Sequence, residues 1–237
     1  MTKSPEAPRL LMDFVHRLFM HHAYWFLEVQ KKFGDEKAFE LMGKVFDKSS
    51  DIHIKRLSKI LGFEVEDGIP ASLKNMPENE MNQLIEGVAI NWLANDGVWF
   101  QAVENEYGMI DAKHCNDHSW SHFSPFEARS IKKQIELPDN SGLEGLKKAL
   151  QYRIYAFINV QEIVEEKENS FVFRMNDCRV QSARKRKGLD DYPCKSAGII
   201  EYSTFAETLD KRIKTECIAC PPDKHPDEWY CAWRFSI

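Results

Sequence analysis

The feature that most constrains this chain is its C-terminal stretch ECIACPPDKHPDEWYCAWRFSI, residues 216–237. Within Trp229–Phe235 the residues alternate between two faces, one of them apolar, which is the period of a half-buried β-strand. The segment Lys211–Ile218 has the same period, so we predict that the two segments pair as a β-hairpin. This hairpin would bring Cys217 and Cys231 to the same face of the sheet.

The cysteines of this stretch predict a thiol cluster. Cys217 and Cys220 form a C-x-x-C pair, and Cys231 follows across a proline-rich loop. Thiolate ligands select soft metal ions such as zinc, and loops commonly supply C-x-x-C pairs. We therefore expect zinc as the cofactor, bound by these three residues and Cys194.

Other interpretations of the cysteines stay open. Cys178 could replace Cys194 as the fourth ligand, and His225 lies in the loop as a reserve ligand. The sulfurs could instead form a disulfide, or the cysteines could serve as small buried hydrophobic residues.

Composition restricts the function classes. The formal net charge of −5 argues against general nucleic-acid binding, because it does not offset phosphate repulsion. The beginning of the chain, MTKSPEAPRLL, lacks the basic-then-apolar order of a secretory signal, and no apolar run approaches the roughly 20 residues of a membrane span. We therefore expect a cytoplasmic protein with no nucleic-acid and no membrane partner. A homo-oligomer is compatible with this sequence.

The periodicity along the chain predicts an α+β fold. Apolar residues recur at helical spacing in the first part, and the period changes to that of strands near residue 160. The predicted helices cover 10–33, 35–48, 50–61, 78–107, a stretch from 124 and 141–157, and the predicted strands cover 160–164 and 171–175. We expect a loop over Gly108–Phe123. The regions 1–158 and 159–237 are predicted to form one cooperative unit, in which helices pack on a smaller unit with an antiparallel sheet.

The middle of the fourth helix suggests a ligand pocket. Gly97 costs about 1 kcal/mol relative to alanine inside a helix. It follows Asp96 and lies between Trp92 and Trp99, a mixture of aromatic and polar groups that is typical of small-molecule sites. We expect these residues to border a pocket shared with the first helix, where His22 is the candidate. Close backbone packing at Gly97 is the alternative.

Cys178 is the candidate nucleophile. Asp177 precedes a short predicted helix, and a cysteine at a helix N-terminus faces free amide groups that lower its pKa. Arg179 and Arg184 add positive charge, and Arg184 is included among the candidate ligand-binding residues.

Several segments together resemble a known family. They are CRVQSARKRKGL, PCKSAGIIEYSTFAETLD, KRIKTECIACPPD and EWYCAWRF, which lie in Cys178–Phe235, and NWLANDGVWFQAVE in the helical part. The chain resembles a bacterial and archaeal family of cytosolic proteins with a domain of unknown function. More distantly, it is similar to the L-2-amino-thiazoline-4-carboxylic acid hydrolase-like family and to 4-vinyl-reductase-type small-molecule-binding domains.

Two functions follow from these observations. The first is a small-molecule-binding or sensor-like protein with a C-terminal metal or thiol cluster. The second, implied by the distant resemblance, is a hydrolase of a small cyclic C–N bond, with Cys178 as nucleophile and a histidine as base.

Overall fold

The computed structural model describes residues 6–237 and divides the chain into two compact units. The first unit ends at Met76, and the second is Pro77–Ile237. This boundary differs from the one near residue 158 that the change of period suggested. The physical reason is that the predicted helical region does not pack as a body of its own, because its later helices share a core with the sheet. The expected single cooperative unfolding stays a prediction.

The first unit is largely helical. Its elements are α1 (Ala7–Phe33), α2 (Asp35–Leu61), β1 (Val65–Glu66), β2 (Ile69–Pro70) and α3 (Ala71–Lys74). Gly34 joins the two long helices with a φ of +80°, a backbone region that glycine enters without steric cost. The break predicted between residues 48 and 50 is absent, because nothing in that sequence blocks helical hydrogen bonding and α2 continues through it.

The second unit contains the larger sheet. Its elements are α4 (Glu78–Tyr107), α5 (Met109–Gln134), α6 (Gly142–Leu150), a 3-10 turn (Ile154–Phe157), β3 (Val160–Lys167), β4 (Ser170–Asp177), α7 (Arg179–Arg186), α8 (Lys195–Leu209), β5 (Lys214–Ala219) and β6 (Cys231–Ser236). The protein is therefore α+β, as the sequence predicts.

The sheet is antiparallel with strand order β3-β4-β6-β5, which confirms the hairpin of β5 and β6. Phe173 of β4 pairs with Trp233 of β6, and Met175 pairs with Cys231. On the other side of β6, Trp233 pairs with Cys217 of β5. Cys217 and Cys231 therefore lie diagonally, on the same face as Trp233, rather than directly opposite each other.

Helix α8 covers this face of the sheet. The buried core combines residues of α5, α6 and α8 with the inner side chains of β4 and β6, including Leu146, Phe171, Phe205 and Phe235. Tyr202 of α8 stacks near Trp233, with ring centroids 4.7 Å apart. The residues that begin and end α8 are consequently fixed against the sheet.

Helix α5 corrects the predicted loop over Gly108–Phe123. The helix begins at Met109 and continues through Pro125, which was expected to start a new helix. Ser124 does not cap a helix, because its hydroxyl donates to the Glu201 carbonyl of α8 at 2.5 Å. Burial of one face of α5 stabilises the helix and outweighs the proline and the polar sequence; the buried residues of this face include Ala112, Trp120, Ala128 and Ile131.

Over the described residues 6–237, helices that combine the length and the apolar character needed to cross a membrane are absent.

Candidate functional site

The second unit contains a partly open cavity of about 450 Å³ between its helices and the sheet. Side chains of α4, α5, α7, α8, β4 and β6 line it, together with the 3-10 turn. This volume lies in the range of small-molecule sites. Four thiols line the cavity, from Cys178, Cys194, Cys220 and Cys231.

Cys194 and Cys220 form a thiol pair in the cavity wall. Their Sγ atoms lie 3.5 Å apart, and the Gln181 amide Nε2 donates to the Cys194 sulfur at 3.4 Å. Gln181 is itself fixed, because its side chain donates to the Tyr192 carbonyl and accepts from the Tyr192 amide. The thiol of Cys194 is thus held from two sides.

A backbone hydrogen bond and an ion pair connect the loop after β5 to the beginning of α8. The Lys195 amide donates to the Pro221 carbonyl at 2.9 Å, and the Lys195 ammonium lies 2.8 Å from Asp223. Asp223 also accepts from the Cys220 amide at 3.3 Å. These contacts place Cys220 beside the N-terminus of α8, where Cys194 is the cap residue.

The two thiols of this pair differ in acidity. The hydrogen bond from Cys220 lowers the pKa of Cys194, against the opposing effect of burial. The same interaction, with Cys231 and burial, raises the pKa of Cys220. A thiolate at a helix N-terminus is further stabilised by the free amide groups. Cys194 is therefore the preferred thiolate of the pair.

Cys178 does not have the low pKa expected from its position. It is the N-cap residue of α7, but burial raises its pKa to about 12. Desolvation of the charged form outweighs the amide groups of this short helix. Histidine is absent from the described residues that line the cavity, so a neighbouring histidine base for Cys178 is not found there.

Gly198 allows the sheet to approach α8 closely. A Cβ at this position would lie 2.7 Å from a ring atom of Trp233 and 3.7 Å from the Cys220 sulfur. Gly198 lies one turn after Cys194 and almost one turn before Glu201, so the three residues share one face of α8. The spacing of this face puts a thiol and a carboxyl on the same wall of the cavity.

Glu201 belongs to a buried ionic network. Arg153 donates from Nε to Glu127 at 2.8 Å, and its Nη2 lies 2.7 Å from Glu201 Oε1. The second pair is close but poorly aligned for a hydrogen bond, so the two atoms keep unused bonding capacity. Burial raises the pKa of Glu201 to about 7, although Arg153 opposes the shift. Glu201 can therefore exchange a proton near neutral pH.

Two further polar groups of the cavity wall are buried without partners. Among residues 6–237, the Trp233 Nε1–H and the Tyr192 hydroxyl have no hydrogen bond. Trp233 is only 1% exposed. Buried polar groups normally find partners, so these two are exceptions in the wall of the cavity.

Positive charge lies along α7. Arg179, Arg184 and Lys187 line the cavity. Arg184 donates from Nε to the Asp190 carbonyl at 2.6 Å, which fixes the side chain. Arg184 therefore lies at the cavity wall, and its binding of a ligand stays a prediction.

The expected residues of α4 line a second cavity of about 390 Å³. Trp92, Asp96 and Trp99 are among its lining residues, and Asp96 also borders the larger cavity. Burial raises the pKa of Asp96. Gly97 has no atom within 4 Å of an added Cβ, so close backbone packing does not explain it. His22 lies on α1 of the first unit and is exposed.

The expected zinc ligands are only partly brought together. Cys194, Cys220 and Cys231 line the cavity, whereas Cys217 is not among its lining residues. His225 is occupied by Asp191 and the Pro226 carbonyl, which contact its two ring nitrogens. Within residues 6–237, a group of three or more His, Cys, Asp or Glu arranged to hold a metal ion is not found. Zinc binding stays a prediction.

One protein family, described as a family of unknown function (DUF6125), matches residues 74–237. The chain belongs to this family. The DUF6125 match covers the whole second unit and therefore all residues that line the two cavities. None of the curated proteins and none of the solved structures matches the chain.

The sequence patterns did not predict several residues in and around the 450 Å³ cavity of this DUF6125 protein. Arg153 and Glu201 lie in predicted helical regions without a motif, and Gln181 lies in a polar segment. The spacing of Cys194, Gly198 and Glu201 along one helix face was the available signal. This spacing indicates a site only once it is known that this face of α8 packs against the sheet.

Proposed function

We propose that the protein binds a small organic molecule in the 450 Å³ cavity of the second unit. The observation that carries this proposal is the buried Nε1–H of Trp233, a residue of the cavity wall, which has no partner among the described residues. An unpaired buried donor costs about 1–3 kcal/mol, a cost that a bound acceptor would remove.

The lining residues favour an aromatic ligand with an anionic group. Tyr155, Tyr202 and Trp233 supply aromatic surface, and Arg179 and Arg184 supply positive charge. An acceptor on the ring system would bind the Trp233 Nε1–H, and the carboxylate would lie towards α7. The four thiols and the Glu201 carboxyl are reactive groups that line this binding site, and they support a sensor-like role.

Calorimetric titration with 2-naphthoate tests the proposal, because this probe combines an aromatic body with a carboxylate. Gly97→Phe places a ring in the open space beside Gly97 and should abolish the binding heat. The matched control is Gly43→Phe on α2, where an added Cβ also meets nothing within 4 Å. Binding that both variants retain would contradict a site in this cavity.

A thiol hydrolase is the second candidate, and it is favoured by the position of Cys194 at the N-terminus of α8, where the contact with Cys220 lowers the pKa of the Cys194 thiol. In this version, Cys194 replaces Cys178 as the nucleophile that attacks a small cyclic C–N substrate. Glu201 lies seven residues further along α8, roughly 10 Å along the axis. This separation is too long for direct proton transfer to Cys194 or to a nitrogen bonded to the carbon that Cys194 attacks, so the proton for the leaving nitrogen would come from water.

A product assay distinguishes the binding function from the hydrolase function. Incubation with a thiazoline carboxylic acid should give ring-opened product with the wild type and none with Cys194→Ala. Cys178→Ala is the matched variant and should retain the activity. If neither protein forms product while 2-naphthoate still binds, the binding function stands alone.

A further inference from the structure

The thiols of Cys194 and Cys220 form an asymmetric pair at one wall of the cavity. Both residues line the cavity, but Cys194 is partly exposed whereas Cys220 is only 1% exposed. Their sulfurs are 3.5 Å apart, and a disulfide requires about 2.05 Å.

We infer that Cys194 and Cys220 act as a redox dithiol that reduces a small disulfide bound in this cavity. The inference rests on the proposed function, because the disulfide must enter the same cavity as the ligand. Cys194 is the attacking residue and Cys220 the resolving residue, since Cys194 is the more exposed of the two and caps α8.

The reaction balances in two exchange steps. The Cys194 thiolate attacks one sulfur of the bound disulfide R–S–S–R, which forms a mixed disulfide and releases one RS⁻ that takes up a proton. The Cys220 sulfur then attacks the Cys194 sulfur, which releases the second RS⁻, and the Cys220 proton passes to it. Two thiol hydrogens and two electrons leave the protein as two RSH molecules, and one Cys194–Cys220 disulfide remains. An external dithiol reduces it again.

The surroundings fit this division of roles. Gln181 donates to the Cys194 sulfur and thereby orients it. Lys195 and Asp223 hold the loop that carries Cys220. Gly198 leaves the space in which the Trp233 ring and the Cys220 sulfur approach α8. Each group positions a sulfur and is not itself a reacting group.

The test uses the reduced full-length protein and bis(2-hydroxyethyl) disulfide, with intact mass and peptide mapping as readouts. The wild type should lose the mass of two hydrogens, release two molecules of 2-mercaptoethanol and contain a Cys194–Cys220 disulfide. Cys220→Ser should accumulate a mixed disulfide at Cys194, and Cys194→Ser should form neither product. Cys115→Ser, which removes an exposed thiol of α5, should behave as the wild type.

Two results would overturn the inference. One is oxidation that links a different cysteine pair, which peptide mapping of the wild type reveals even if a variant fails to fold. The other is bound zinc that keeps the thiols unreactive until a chelator removes it. If Cys194→Ser and Cys220→Ser bind 2-naphthoate, failure of the redox inference is distinguished from failure of the proposed function, because the ligand does not require the thiols.

Discussion

The two units use apolar side chains in opposite ways. In the first unit, α1 has no buried residue, and α2 buries only Ala38 and Phe39. In the second unit, α6, α8 and the sheet share one continuous core, in which Phe171 and Phe235 are fully buried. Both units have amphipathic helices, so the period of a helix determines its apolar face but not whether that face is buried.

The largest contrast is expected for buried and exposed arginines. Arg153→Ala should lower the free energy of unfolding by about 3–5 kcal/mol, because it leaves Glu127 and Glu201 buried without a counterion. Arg17→Ala is the matched change on α1, where Arg17 pairs with the exposed Asp13, and should change it by less than about 0.5 kcal/mol. Urea denaturation measures both, and equal losses would contradict the contrast.

Phenylalanines give a similar comparison without charge. Phe171→Ala removes a fully buried ring of β4 and should cost about 4 kcal/mol through the cavity it leaves. Phe19 of α1 is 67% exposed, so Phe19→Ala should have little effect on unfolding. Thermal denaturation provides the measurement. A large loss for Phe19→Ala would show that α1 is buried in solution, for example against another copy of the chain.

Acidic residues of the two units should respond to pH in opposite directions. Burial raises the pKa of Glu201 from 4.5 to about 7. Between these values the folded protein holds a proton that the unfolded chain releases, so the free energy of unfolding falls as pH rises, by roughly 3 kcal/mol. Denaturation of the wild type and Glu201→Gln at several pH values should show this slope only in the wild type.

Glu40 of α2 is the counterpart in the first unit. Hydrogen bonds from Lys37 and Lys44 lower its pKa to about 2. Its contribution is therefore present above pH 4.5 and is lost as pH falls towards 2. The contribution is small because the pair is exposed to solvent.

Identical pH profiles for Glu201→Gln and the wild type would contradict the assignment of the neutral-pH slope to Glu201.

Glycines should give the smallest effects, and these should have opposite signs. Gly198→Ala places a Cβ 2.7 Å from the Trp233 ring and should destabilise the second unit by about 1–3 kcal/mol. Gly43→Ala on α2 meets no atom within 4 Å and should stabilise its helix by about 1 kcal/mol. Melting temperatures of the two variants test the signs, and a stabilising Gly198→Ala would mean that Trp233 can move away.

The elements that depend on local pattern are predictable from the amino-acid sequence. The alternation around Cys231 and Cys217 predicts the hairpin, and proline before Glu78 with glycine after Tyr107 delimits α4. These predictions are confirmed because period and capping act within a few residues. The loop predicted over Gly108–Phe123 is wrong, because burial of Trp120 and its neighbours outweighs the polar composition of this segment.

The candidate site, in contrast, depends on contacts between residues that are distant in the sequence. Cys194 and Cys220 lie 26 positions apart, and their 3.5 Å separation depends on the loop that Lys195 and Asp223 fasten to α8. The high pKa of Cys178 and of Glu201 arises from burial, which no local pattern shows. Acidity follows from desolvation and from neighbours supplied by distant elements, and for this reason the sequence named the thiols but not their roles.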